Sequence, residues 1–307
     1  MDNKKETKET KVKLPLLELN DATLETLLNA GVHFGHQTQR WNPAMRQYIY
    51  TSRDGIHILD LIKTIAKLNE AIEAVYNYAT RGEILFVGTK TQAKDIVRDA
   101  AIKSKSHFVI NRWPGGLLTN YMVTRKSIKK LNDLIKGFRE GIENRTKKEL
   151  TVMKKDLERL DILYGGVKMF NKRPAAVVVV DPKKSRIAVR EANRMGIPVI
   201  AIVDTNASPD MVDHVIPAND DALHSLEFIV AKLAEAIELG NKGVGPEFAA
   251  VDYAEVEESV QNMAKKLEEK KSQGGRPQEE GKGPHRVVRV SREQAKRFAK
   301  PAPKASK

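Results

Sequence analysis

The chain has 307 residues, 41% of them hydrophobic, and 53 Lys and Arg against 40 Asp and Glu give it a formal charge of +13. That is enough apolar material for one large domain with appendages, and the summed field attracts polyanions, with nucleic acid ahead of an anionic membrane surface. The absence of cysteine excludes disulfide frameworks, thiolate zinc sites and thiol catalysis, and points to a reducing, cytoplasmic setting.

Residues 1–13 form a polar, charged string without the apolar stretch of a secretory signal, and no later apolar run approaches membrane-spanning length. A soluble protein with a disordered extension over residues 1–15 is expected. Residues 21–30 predict a short helix with Leu24, Leu27 and Leu28 on one face, capped by Asp21 or Thr23 and stopped by Gly31. Residues 32–54 are aromatic and basic but lack sustained periodicity, so they read as extended and partly looped. Leu61, Ile65, Leu68, Ile72 and Val75 then make the apolar stripe of a long helix over residues 60–78.

Four short, β-branched apolar runs follow at residues 84–87, 108–110, 175–180 and 199–203, with a fifth candidate at 214–217. Their near-continuous apolar character suits central strands covered on both faces. Helical patterns at residues 91–103, 185–195 and 221–239 separate them, which predicts a doubly wound parallel sheet with right-handed crossovers.

Between the second and third strands lies a long insertion. Ile128, Leu131, Ile135, Phe138 and Ile142, then Leu150, Met153, Leu157, Leu160 and Tyr164, alternate spacings of three and four, the pattern of a two-helix coiled-coil hairpin. Thr146 and Glu149 have the spacing of a capping box at the start of its second helix. A first helix from Tyr121 to Ile142 is roughly 30 Å long at ~1.5 Å per residue, so the hairpin is expected to project. Its narrow seam offers little burial against the entropy of ordering it, so the tip is expected to need a docking surface. Arg125, Lys126, Lys129, Lys130, Arg139, Arg145, Lys147, Lys148, Lys154, Lys155, Arg159 and Lys168 make phosphate the natural dock.

Past Gly240 the composition turns charged and low in complexity, so residues 241–307 read as a largely disordered tail, with a transient helix over 255–271 and an almost purely basic end from residue 281.

Neither a dinucleotide nor a P-loop fingerprint occurs. Gly88-Thr89-Lys90-Thr91 joins a strand to a helix at the sheet edge where such folds bind ligands, and it reads as a capped turn ahead of a nucleotide pocket. His33 and His36 are spaced to share a metal with Asp204 or Asp213, but structural bonding to backbone or RNA is the stronger reading. Asp181, Asp204, Asp210, Asp213, Asp220 and Asp221 crowd the later strand ends, where caps and Asx-turns outweigh an acid/base pair or a Mg²⁺ site. No catalytic residue, cofactor or metal site is expected.

Two segments combine aromatic, basic and glycine residues: Arg40-Trp41 with Arg46, and Arg112-Trp113-Pro114-Gly115-Gly116 with Asn120. Rings stack on unpaired bases, arginines bridge phosphates, and paired glycines let a backbone approach closely. The alternative that Trp41 and Trp113 are core anchors beneath loops stands beside this reading.

These segments, with Gly31-Val32-His33-Phe34-Gly35-His36, Gly55-Ile56-His57-Ile58, Phe86-Val87-Gly88-Thr89-Lys90, Leu118-Thr119-Asn120, Gly165-Gly166, Asp204-Thr205-Asn206 and Asn219-Asp220-Asp221-Ala222, resemble the bacterial form of the second small-subunit ribosomal protein family from about residue 17 to 240. The resemblance implies a flavodoxin-like three-layer α/β sandwich over residues 16–240, with a five-stranded parallel sheet and a coiled-coil hairpin insert at about 121–172. It implies a non-catalytic constituent of the small subunit, between head and body, binding small-subunit ribosomal RNA and neighbouring ribosomal proteins and helping to recruit the first of them. Pro114 stands where many relatives have leucine, which stiffens the loop and leaves the glycine pair intact. For the tail past residue 240, an RNA or protein tether and an inert solvated segment both stay open. No membrane association and no homo-oligomer are expected. The rival readings are a flavodoxin-like enzyme using the strand-end loops and a membrane-surface adaptor using the tail, which lacks a strong apolar face.

Overall fold

The structure, a computed structural model, describes residues 13–141, 145–248 and 251–273. Helix α1 (Asp21–Asn29) is capped by Asn20, whose side chain accepts from the Thr23 amide, so the cap sits one residue before the expected Asp21. Residues 32–54, expected to be extended and partly looped, contribute β1 (Phe34–Gln37) and β2 (Ile49–Arg53) to a small antiparallel sheet completed by β3 (Ile56–Leu59), in the order β1-β3-β2. Asp54 and Gly55 both have positive φ, 52° and 75°, which is the two-residue turn that matches strand twist in a hairpin.

Asp60 caps α2 (Leu61–Ala79) by accepting from the Ile62 and Lys63 amides. Then come β4 (Ile84–Val87), α3 (Lys94–Lys103) and β5 (His107–Val109). Next is the insertion, with α4 (Tyr121–Glu140) and α5 (Lys147–Tyr164). The chain continues through β6 (Ala176–Val180), α6 (Arg186–Arg194), β7 (Val199–Val203), β8 (His214–Pro217) and α7 (Leu223–Gly240). It closes with α8 (Tyr253–Gln273).

The main sheet has five parallel strands in the order β5-β4-β6-β7-β8, so the chain reverses direction across the sheet between β4 and β6. Strand side chains alternate between two cores. Ile84, Phe86, Val178, Val180, Ile200 and Ile202 meet Leu68, Ile72 and Val75 of α2 and Leu226, Ile229 and Leu233 of α7. Leu85, Val87, Val177, Val179, Ala201 and Val203 meet Ala188 and Val189 of α6, Trp113, Leu117 and Ile128. This is the expected three-layer sandwich, and the long apolar runs reflect strands buried on both faces.

The described residues as far as Ala264 form one compact unit. The described part of the segment after Gly240 contributes to it as far as Ala264, and α8 lies where a helix was expected over residues 255–271. Gly245 lies so close to Lys105 that a Cβ there would sit 2.2 Å from its carbonyl oxygen, and the Phe248 ring packs 5.2 Å from that of Phe108. Of the unit that begins at Lys265, only the end of α8 is described. The expected disorder of residues 274–307 and of residues 1–12 lies outside the described residues.

Candidate nucleic-acid interface

The insertion forms two helices, α4 and α5, whose apolar residues meet, although Ile128 of the expected seam packs in the core of the main sheet. Leu131, Leu134 and Phe138 of α4 cluster with Leu157 and Leu160 of α5, and Ile135, Met153 and Tyr164 pack at the margin. The Thr146 hydroxyl accepts from the Glu149 amide while the Glu149 carboxylate accepts from the Thr146 amide, so the capping box forms. Of the expected tip at residues 143–146, residues 143 and 144 lie outside the described residues, as does residue 142 of the expected first helix. Helix α8 adds to this seam. Val256, Val260 and Met263 lie against the hairpin seam, the Tyr253 hydroxyl donates to Asp161 at 2.6 Å, and Lys154 pairs with Glu257. The seam that was too narrow for two helices thus finds its cover within the chain, and not only on a partner.

This cover sorts the basic residues. Lys130 is held by Asp156 at 2.6 Å, Arg159 by the same carboxylate at 3.3 Å, and Arg145 by Glu149 at 3.9 Å. Arg125, Lys126, Lys129, Lys148 and Lys155 are exposed and make no ion pair among the described residues. Arg139 and Lys147 are exposed as well. Lys168 is half-buried, and burial pushes its ammonium below the usual lysine range.

The two tryptophans part company. Trp113 is 7% exposed, its indole N–H donates to Glu191 at 3.0 Å, and its ring belongs to the core, so the core-anchor alternative is the one the structure adopts. The same carboxylate accepts from the amides of Gly116 at 2.7 Å, Leu118 at 3.1 Å and Thr119 at 3.3 Å, and from the Thr119 hydroxyl. Burial works against the charge of Glu191, but these donors outweigh it and hold the carboxyl below its ordinary value. Glu191 is the organising residue that the sequence reading missed. Gly116 has φ +84° and would need to push Asn120 aside to carry a Cβ, whereas a Cβ on Gly115 would meet nothing. Arg112, Gly115 and Asn120 are left exposed on this clamped loop. Trp41 is half-buried, its ring 5.1 Å from that of His57, and Arg40 and Arg46 beside it are exposed.

The carboxyl edge of the sheet holds a second cluster. Gly88 serves packing, since a Cβ there would lie 2.6 Å from Val97 of α3, and Lys90 is engaged by Asp220 at 2.7 Å and Asp221 at 2.6 Å. Burial opposes the charge of Lys90, but those two bonds hold its ammonium above the usual range. The Lys90 side chain therefore answers carboxylates in this fold, and the expected cap does not form: neither Lys90, ahead of the 3-10 turn Thr91–Ala93, nor Ala93, ahead of α3, makes a side-chain capping bond. Burial, then the charge of Asp204, push Asp220 up to about 7, against the pull of Lys90. His36 Nδ1 lies 2.9 Å from Asp204 and its Nε2 3.4 Å from Asp221, and the Asp204 contact, against burial, raises its basicity. The other acidic residues act locally. Asp181 accepts from the Lys184 amide, and Asp213 accepts from the Val199 amide at the opposite, amino edge of the sheet, which separates it from His36.

No described helix is long and apolar enough to cross a membrane. A protein-family model described as ribosomal protein S2 matches residues 27–240.

Proposed function

Because this chain belongs to the ribosomal protein S2 family, a family of structural small-subunit proteins and not of enzymes, we propose that it holds small-subunit ribosomal RNA through the solvent face of its helical hairpin. The observation that carries this reading is the division of labour on the hairpin. Its seam is closed by α8, while Arg125, Lys126, Lys129, Lys148 and Lys155 stay exposed outside any ion pair among the described residues. Unneutralised cations on a rigid helical surface lower their free energy by displacing counterions from a phosphate backbone.

Arg40, Arg46 and Arg112 add phosphate contacts from the two loops, with Gly115 allowing close approach and Asn120 offering a polar edge. The contribution of Trp113 is indirect, through the shape of the loop that it anchors. Lys130, Lys154 and Arg159 are secondary contacts, because each must first leave a carboxylate. Arg139, Lys147 and Lys168 extend the same basic set. Contact with neighbouring small-subunit proteins, including help in recruiting the first of them, rests on the family likeness, as does a location in cytoplasmic ribosomes. Co-sedimentation of the purified chain with small subunits lacking it, followed by release in rising salt, tests the reading. Retention that ignores salt contradicts it.

A further inference from the structure

We infer that helix α6 carries a second nucleic-acid surface, separate from the hairpin, which takes the phosphate backbone of an RNA duplex; the inference rests on the RNA-holding reading above and extends it to another helix. Residues 183–194 hold five cations, Lys183, Lys184, Arg186, Arg190 and Arg194, and one carboxylate, Glu191. Glu191 is buried and committed to the Trp113 indole and the loop amides, so it neutralises none of them. All five cations are exposed, and none makes an ion pair among the described residues.

Helices α2 and α7, on the opposite face of the sheet, pair each of their lysines: Lys63 with Asp60, Lys67 with Glu70 and Lys232 with Glu235. On α6 the pattern instead works against local stability. Arg186, Arg190 and Arg194 are four residues apart and form one stripe, about 6 Å between neighbours at ~1.5 Å per residue, in which like charges repel. Arg186 also opens the helix, at the end where the backbone dipole disfavours a cation. A bound polyanion relieves both.

The stripe adjoins residues proposed above for RNA contact. Ile187 and Arg194 lie four residues before and three after Glu191, one turn to each side of the carboxylate that holds loop 116–119, and the exposed Arg112 and Asn120 border that loop. The chemistry of the stripe selects its partner. No aromatic ring occurs within residues 183–194 to stack an unpaired base, whereas arginine forks and lysine ammoniums suit phosphate oxygens. Such a face reads shape and backbone, which is how duplex RNA is bound. Ile187 is the one apolar side chain among the exposed residues of 183–194, so an anionic membrane finds no apolar face to take up.

Anisotropy titration of the full chain with a blunt RNA duplex of about 16 base pairs tests the surface. The triple variant Arg186→Gln, Arg190→Gln, Arg194→Gln keeps helix-favouring side chains at three exposed positions, so the fold holds, which circular dichroism and the thermal midpoint check. The expected result is at least 10-fold weaker duplex binding at low salt and a slope of log affinity against log salt flatter by about 2.7 units, at ~0.9 per lost phosphate contact. Reversal of the hairpin residues Lys126, Lys129, Lys148 and Lys155, assayed beside it, reports on the hairpin alone, so a change in one variant and not in the other separates the two readings. Duplex binding unchanged in the triple variant, or a loss that falls on single-stranded RNA or on polyglutamate and spares the duplex, overturns the proposal.

Discussion

The Glu191 carboxylate accepts a hydrogen bond from the Trp113 indole at 3.0 Å, joining helix α6 to a loop that lies 78 residues earlier in the chain. Because the same carboxylate also takes the Gly116, Leu118 and Thr119 amides, one side chain sets the shape of the loop that leads into α4. Glu191→Ala leaves those buried donors unpaired and should lower unfolding stability by about 3 kcal/mol or more in urea titration. A loss below about 1 kcal/mol would show that water replaces the carboxylate.

Glu191 also sets a pH dependence. Its folded-state proton affinity lies below the ordinary glutamate value, so the unfolded chain binds the proton more tightly. The stability from this group is fully present above roughly pH 4.3 and is lost as the pH falls through the lower folded value. The stability gap between the parent chain and Glu191→Gln should therefore be constant from near neutrality down to about pH 5 and shrink toward about pH 3. A gap that widens in acid would contradict the assignment.

Helix α8 should be the stabiliser of the hairpin. Val256 is 7% exposed and sits in the cluster with Leu131 and Leu157, so Val256→Asp places a charge in an apolar contact. Amide exchange in α4 and α5 should accelerate by about 10-fold or more, equivalent to ~1.4 kcal/mol, while β6 and β7 keep their protection. Equal acceleration across the sheet would mean that the hairpin does not open on its own.

The glycines divide sharply. A Cβ on Gly166 would lie 2.2 Å from the Phe108 carbonyl oxygen, so Gly166→Ala should cost about 1–3 kcal/mol by overpacking. A Cβ on Gly115 meets no atom within 4 Å, so Gly115→Ala should leave the thermal midpoint unchanged and weaken RNA binding if the loop backbone touches phosphate. A Gly115→Ala protein that melts several degrees lower would show the loop to be less open than described.

Where burial alone decides, the residues announce the fold. The valine-rich runs of β6 and β7 are apolar at every position because both faces are covered, and the i, i+3, i+4 stripe of α2 needs no partner to be recognised. The small sheet was hidden because β2 is mostly exposed and has no apolar alternation, although Asp54-Gly55 is a hairpin turn signal that marks it. The packing of the segment after Gly240 was hidden by its charge. Val256, Val260 and Met263 keep helical spacing, but their partner is a seam more than ninety residues earlier. Trp41 and Trp113 look alike in sequence, but Trp113 packs in the core with its indole bonded to Glu191, whereas Trp41 packs against His57. The basic stripe was legible residue by residue, but which lysines are already paired depends on Asp156 and Glu257 across the bundle.

The most direct test of the hairpin as the RNA-holding element is the salt dependence of binding to small-subunit ribosomal RNA. Lys126, Lys129, Lys148 and Lys155 are exposed and outside the ion pairs described, so reversing them to glutamate leaves the Lys130–Asp156 and Lys154–Glu257 pairs in place. The slope of log affinity against log salt should then flatten by about 3.6 units, at ~0.9 per lost duplex phosphate contact. A slope equal to that of the parent chain would take the hairpin out of the interface.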